Sequence, residues 1–453
     1  MLRFATLPLT KKTSLVIILS FTTVAVIDST IVLFSSYSGG EASISANVAI
    51  FISFSAIFVV ISMILINSVK KSTSSIKAAP LHIGYFHGIM IGTLALTVSV
   101  IILIILQSLL LNEYSLILLK IQTWVSHLSA LIFLSSLVFL FGRWLTSKRS
   151  YAILLYTISL GIVCFNLVVS LVYLDAYLSS PVPVVSPIVK PYSIVLYVTN
   201  FNTLPIESIS PTFDALSVCS FLIMWVATAI LLSQYMHRMG TIKYFSLMSI
   251  PLLYYLFPFQ GYFSNAFFAI LPSSPIYFSA LYVLIFSGTK QAGALLFCLA
   301  FWTASSLVHD DRIRKSLLFS SIGIVMLFGS LQIAPLEYHV YPPYGLITKA
   351  FLPLGAYLLF AGIFISAVSI SRNAQVRSEF YKKAESQLAL LRAVGVSQME
   401  RDLESQVKSI EKRVSLFETK VEPDMKEEDI RETLHDVLNE LYYLKGKKES
   451  QKS

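Results

Sequence analysis

For about 370 residues the chain alternates long apolar runs with short polar interruptions, and then charge begins to recur every few positions. Runs of about 20 apolar residues are what a bilayer crossing demands. The pattern predicts spans near 13–36, 44–69, 82–111, 116–141, 151–178, 213–236, 244–262, 291–308, 316–334 and 347–371. Helix is the form expected of all ten, because lipid offers no partner for free backbone groups. The stretch "FPFQGYFSNAFFAILPSSPIYFSALYVLIFSGTKQ" (257–291) interrupts the pattern with proline, glycine and aromatics. Lys290 is costly at mid-membrane, so it is expected at the outer surface, with 263–288 interfacial or re-entrant. A single kinked helix over 276–308 is the alternative, and it leaves the count at ten.

The change of pattern falls within "SAVSISRNAQVRSEFYKKAESQLALLRAV" (366–394). The last span is expected to end near Ser371, and neither glycine nor proline follows until Gly395. That predicts helix running unbroken from the membrane into the tail. Leu403, Val407, Ile410, Val414, Phe417 and Val421 are spaced 4, 3, 4, 3, 4, the seam of a coiled coil. Pro423 stops this helix, and Asp424 with Glu427 forms a capping box for the next. There Ile430, Leu434, Val437, Leu441 and Leu444 repeat the spacing. The expected fold is therefore all-α: a polytopic helical membrane domain over 1–371 and a cytoplasmic coiled-coil or helical-hairpin tail. The tail divides into 372–421, a second amphipathic helix over 424–445, and a disordered end over 446–453. A homodimer through the tail buries the longer seam most simply.

Composition agrees with this division. Hydrophobic residues make up 55% of the 453 and charged ones 13%, against roughly 25% charged in soluble domains. The net charge of +9 does not signal nucleic acid. Residues 372–453 hold 16 basic and 16 acidic side chains, so the excess lies in the membrane part, with 18 basic and 9 acidic. Those basic residues alternate between loops: Arg3, Lys11 and Lys12; Lys70, Lys71 and Lys77; Arg143, Lys148 and Arg149; Arg238 and Lys243; Arg312, Arg314 and Lys315. The alternation is the positive-inside pattern, and it predicts a multi-pass protein of the cell membrane with both termini cytoplasmic. The first apolar run, about 24 residues, exceeds the 7–15 of a signal h-region, so a retained anchor is expected. Cys164, Cys219 and Cys298 fall inside spans and read as packing residues.

Candidate chemistry is sparse. Asp28, in "VAVIDSTIVLF", lies about two-thirds of the way outward along the first span, where an ionised carboxylate costs roughly 2.5–3.5 kcal/mol. His127 and Asn166 fall at similar depth in the fourth and fifth spans, and the three together are the candidate intramembrane polar site, able to bind a cation or relay a proton. The competing reading is hydrogen-bonded glue between helices. His82, His87, His237 and His309 sit at span ends with no metal-binding spacing, and Asp175 reads as solvated. The six prolines of the outer loop 179–212 disfavour helix, while "YSIVLYVTNF" within it suits a short strand. No GxxxxGK[ST], HExxH, GxSxG or CxxC motif occurs, and "HDDRIRK" (309–315) reads as charge balance. The expectation is a non-enzymatic protein with no cofactor and no metal.

"LHDVLNEL" (434–441) resembles the phosphoacceptor box of some archaeal sensor kinases, with His435, Asp436 and Asn439 in place. The resemblance makes His435 a candidate phosphoacceptor, although no glycine-rich ATP-binding boxes accompany it and a solvated helix histidine is the expected reading. "YPPYGLITKAFLPLGAYLLFAGIFISAVSISRNAQVR" (341–377) resembles the junction in archaeal multi-pass proteins similar to the membrane part of sensor kinases. That resemblance covers roughly the last quarter of the chain. It implies a sensory or regulatory role, and the expected function is a non-enzymatic sensor or signalling scaffold that relays a signal to the tail and on to a cytoplasmic signalling protein. It supplies no binding residues and no output domain. A transporter or channel with a regulatory or dimerising tail is the alternative.

Overall fold

The computed structural model describes residues 9–38, 44–74, 81–147, 150–178, 184–185, 204–233, 235–236, 240–252, 275–331, 341–373 and 389–418. Apolar runs become helices: α1 (Lys11–Ser38), α2 (Ile44–Ser74), α3 (Leu81–Leu110), α4 (Leu116–Ser147), α5 (Tyr151–Leu178), α6 (Leu204–Leu232), α7 (Thr241–Ser249), α8 (Pro275–Leu307), α9 (Asp311–Leu331), α10 (Leu346–Arg372) and α11 (Ala389–Glu418). Two-residue strands β1 (Tyr114–Ser115) and β2 (Val184–Val185) pair antiparallel and clip the α3–α4 turn to the chain after α5. Among the described residues, seven helices are long and apolar enough to cross a membrane, those within α2, α3, α4, α5, α6, α9 and α10.

Two expectations change here. Residues 276–288, expected as an interfacial or re-entrant segment, belong to the continuous helix α8, the alternative reading of that region. Residues 204–212, placed in a proline-rich loop, already form the first turns of α6. Pro205 sits at the helix start, where its missing N–H costs nothing. The "YSIVLYVTNF" segment lies outside the described residues.

The core is the antiparallel hairpin of α9 and α10. Of their apolar windows 89% and 94% are buried, against 33–44% in α2–α6. A helix that is hydrophobic all round belongs inside. The other helices surround it in sequence of contact: α1 on α8 and α9, α8 on α6, α6 on α5, α5 on α4, with α2, α3 and α4 against α10. The hairpin closes on small residues, which let two backbones approach without lipid between them. A Cβ added at Gly323 would stand 2.5 Å from the Leu359 nitrogen, one at Gly355 2.6 Å from the Leu327 nitrogen, and one at Gly362 2.5 Å from the Ser316 carbonyl oxygen. Further along the seam, the Ser316 and Ser366 hydroxyls bond at 2.7 Å. Aromatic edges fix the surrounding helices to α10. Phe351 meets Phe21 at 5.1 Å and Phe58 at 4.9 Å, and Phe360 meets Phe86 at 4.7 Å.

The bundle has two distinct ends. At one, Lys11 donates to Ser306 (2.9 Å). At the other, Tyr341 donates to the Ser108 carbonyl (2.8 Å) and Tyr344 to that of Asn47 (3.0 Å). The outward faces are apolar, with Val16, Val60, Leu96, Leu110, Ile117 and Phe139 each more than half exposed. Soluble proteins seldom show so large an apolar surface, and a bilayer is the surrounding it suits.

The chain divides into two compact units, Met1–Met399 and Glu400–Ser453. The helix expected to run unbroken past Ser371 does not. α10 ends at Arg372, and Asn373 is extended (φ −112°, ψ 102°). Residues 374–388 lie outside the described ones. When the chain is described again, Leu390, Leu391, Ala393, Val394 and Val396 are buried in the first unit. Burying large apolar side chains is worth roughly 1.5–3 kcal/mol each, more than continuing an exposed helix returns. Gly395 is not a breaker but a point of close approach, where an added Cβ would clash with the Ile370 side chain. In the second unit the helix continues to Glu418 with Leu403 (49%) and Val407 (38%) exposed. Ile410, Val414 and Phe417 fall on the same helix, while Val421, the 424–445 helix, the 446–453 end and His435 lie outside the described residues.

Close packing makes a sharp forecast. Gly355→Leu costs about 1–3 kcal/mol or more from overpacking against backbone, whereas Gly88→Ala, which meets nothing within 4 Å, is neutral or stabilising. Unfolding titrations in mixed micelles read the difference.

Candidate functional site

Asp28 is fully buried on α1. Thr348, in the first turn of α10, donates its hydroxyl to the Asp28 carboxylate (Oγ1 to Oδ2, 2.5 Å). The Thr348 carbonyl in turn accepts from Ser330 Oγ of α9 (2.6 Å), so this residue is gripped from two sides. The next residue is Lys349, only 3% exposed. Among the described residues, Asp28 is the only buried carboxylate and Lys349 the only buried Lys or Arg. Tyr344, just before α10, lies within electrostatic reach of Asp28. Burial first, and the carboxylate second, push its hydroxyl above the usual phenol value, so it remains a donor to Asn47.

His127 is buried on α4. Its Nδ1 lies 2.8 Å from the Thr123 carbonyl, which can only accept, so Nδ1 carries the proton. Its Nε2 then accepts from Ser170 Oγ of α5 at 3.2 Å. α4 packs against α10, the helix that carries Lys349. Asn166 sits one turn before Ser170, buried, with Oδ1 unbonded. The three candidate residues are thus not joined by direct hydrogen bonds to one another. α10 touches both sides, bonding Asp28 through Thr348 and packing against α4, which carries His127.

Sequence reasoning missed Lys349. It lies three residues inside the run expected to span 347–371, where a lysine passes for an interface residue. The usable signal was "TKAFLP". Pro353 stands four residues on and supplies no N–H to the Lys349 carbonyl, so charge and helix weakness coincide in one turn.

Other polar groups act as glue. Gln122 donates to Thr97 (3.1 Å) and Ser126 (2.9 Å), Thr93 bonds Ser129 (2.7 Å), and His87 Nδ1 bonds the Tyr357 hydroxyl (2.9 Å). Asp175, expected to be solvated, pairs with Lys120 at 2.8 Å and accepts from Trp124 Nε1 at 3.1 Å. Such a half-exposed pair is worth about 0–1 kcal/mol. In "HDDRIRK", Asp311 pairs with Arg314 and with Lys315 (2.6 Å), and Asp310 caps α9 by accepting from the Arg312 and Ile313 nitrogens. No group of three or more His, Cys, Asp or Glu able to hold a metal occurs among the described residues.

At the opposite end of α10 lies the docked start of the tail helix. Trp144 of α4 is fully buried. Its Nε1 donates to Gln398 Oε1 (3.0 Å), and its carbonyl accepts from Ser397 Oγ (3.1 Å). With Gly395 against Ile370, residues 390–398 are held to both α4 and α10.

Fold and site together define an all-α bundle with helices long and apolar enough to cross a membrane, a buried Asp28–Thr348 bond beside Lys349, and a docked tail helix. No family model, curated protein or solved structure matches the chain.

Asp28 and Lys349 are buried on either side of the Asp28–Thr348 bond, and if their charges balance, removing one costs about 3–5 kcal/mol while removing both is close to neutral. Asp28→Asn and Lys349→Met should therefore each destabilise, and the double variant should recover most of the loss in micellar unfolding. Losses that simply add would mean that the two charges do not offset each other.

Proposed function

We propose that this is a non-enzymatic membrane sensor or signalling scaffold, in which the helical bundle controls the presentation of the tail. The observation that carries this reading is the docking of residues 390–398 on Trp144 and Ile370. α10 carries the buried cluster at one end and the tail dock at the other, about 30 Å apart at 1.5 Å per residue. A small shift of a packed helix is an ordinary carrier of such signals. The positive-inside pattern supports a tail in the cytoplasm. The ten-span count rests on the seven apolar helices, α1, α8 and the run at 244–262.

In this reading the exposed positions Leu403 and Val407 begin a seam that pairs with a second copy as a coiled coil, and a cytoplasmic signalling protein reads the result. The 341–377 resemblance to archaeal sensor membrane parts points the same way. Transport is the second reading, favoured by the buried Asp28 and Lys349 and the proline one turn beyond, since interrupted helices line many midplane sites.

The test is a cross-linking pull-down from native membranes, comparing the full chain with one ending at Met399. That end point keeps the docked residues and spares the Trp144 surface. The expected result is a specific cytoplasmic protein recovered with the full chain only. Recovery of self-dimers alone, or the same proteins from both, would overturn the sensor reading and turn attention to transport.

A further inference from the structure

We propose that the Asp28 cluster is a proton-binding site, with the Asp28 carboxylate as acceptor and Thr348 and Lys349 as its gating partners. The inference names a ligand and holds whether the bundle senses or transports. In one state the carboxylate accepts from Thr348 and offsets the buried ammonium of Lys349. In the other a proton adds to the carboxylate, an O–H bond forms, and the ammonium loses its counter-charge. The cluster gains one positive charge, and the electrostatic hold between α1 and the start of α10 is released.

A proton fits this site better than a metal cation or an organic ligand. A cation at Asp28 would add a second positive charge to a buried region that already holds Lys349, the residue next to Thr348. His127 has both ring nitrogens engaged and offers no open ligand position. A proton needs only a lone pair. Among the described residues, the charged and titratable groups around Asp28 are few. α10 contributes Lys349, with Tyr344 just before it, and α4, which packs against α10, carries His127. α8 and α9, which also pack on α1, bring Gln291 and Ser330 at this level, and neither titrates. Cys298 of α8 faces Ser321 instead, and the charges of α9, from Asp311 to Lys315, lie at the other end of that helix. Pro353 loosens the turn that holds Lys349, so the release of Asp28 falls where α10 is weakest.

The experiment is infrared difference spectroscopy on the full-length protein in lipid nanodiscs, titrated from acid to alkaline pH. The expected result is a protonated-carboxyl band that grows on acidification and is missing from Asp28→Asn. Thr348→Val, which keeps the carboxyl but removes its hydroxyl donor, should change the band's frequency. Lys349→Gln should displace its titration midpoint by about one pH unit or more, as loss of a buried counter-charge does. These two variants carry the assignment if Asp28→Asn fails to fold. No band sensitive to any of the three substitutions would overturn the proposal. So would a band of constant intensity at every pH, which marks a permanently protonated structural carboxyl.

Discussion

The backbone contact between α9 and α10 is the constraint on which the rest of the bundle depends. Gly323, Gly355 and Gly362, with Ser316 and Ser320, leave no room for larger side chains between the two helices. Inside a bilayer there is little hydrophobic drive to bring helices together, so close packing and interhelical hydrogen bonds must do it. Once the hairpin is closed, its two helices present apolar surface on every side. The surrounding helices cover that surface through Phe21, Phe58, Phe86 and Phe133, all of which pack on it directly or through Tyr357.

That central position gives α10 contact with both regions of interest. Its first turn holds Asp28 and carries Lys349, and its last turns meet the tail at Ile370. A helix buried along its length cannot adjust one end without a response from neighbours, because packed interiors shift between discrete arrangements and do not deform smoothly. Pro353 divides α10 unequally, setting the cluster's turn apart from the long remainder. The cluster therefore sits on the more yielding piece and the tail on the stiffer one. This arrangement is what makes a sensor the more economical reading, and it works through α10 without needing an unbroken helix into the tail.

The positions of most helices were legible in the residues. Apolar runs of bilayer length dictate helices wherever they fall, because free backbone groups in lipid have no alternative partner. The observed α2, α3, α4 and α5 start within two residues of the expected spans. Asp28 and His127 were legible as well, since a polar group in an apolar run is costly enough to be conspicuous. Lys349 was not, because the length of its side chain lets a lysine near a span end reach water, and only packing shows that this one does not.

What the sequence by itself determined is local: helix, apolar outward faces, the basic alternation of the loops and the spacing of the tail seam. The tertiary structure alone decided which helices form the centre, since α9 and α10 are no more apolar than the helices around them and differ in small residues at matching heights. It also decided that α10 stops at Asn373 and that Gly395 packs on Ile370. No local propensity requires either. The burial of Leu390 to Val396 outweighs the gain from continuing an exposed helix, and that gain depends on a surface built by residues more than 200 positions earlier, around Trp144.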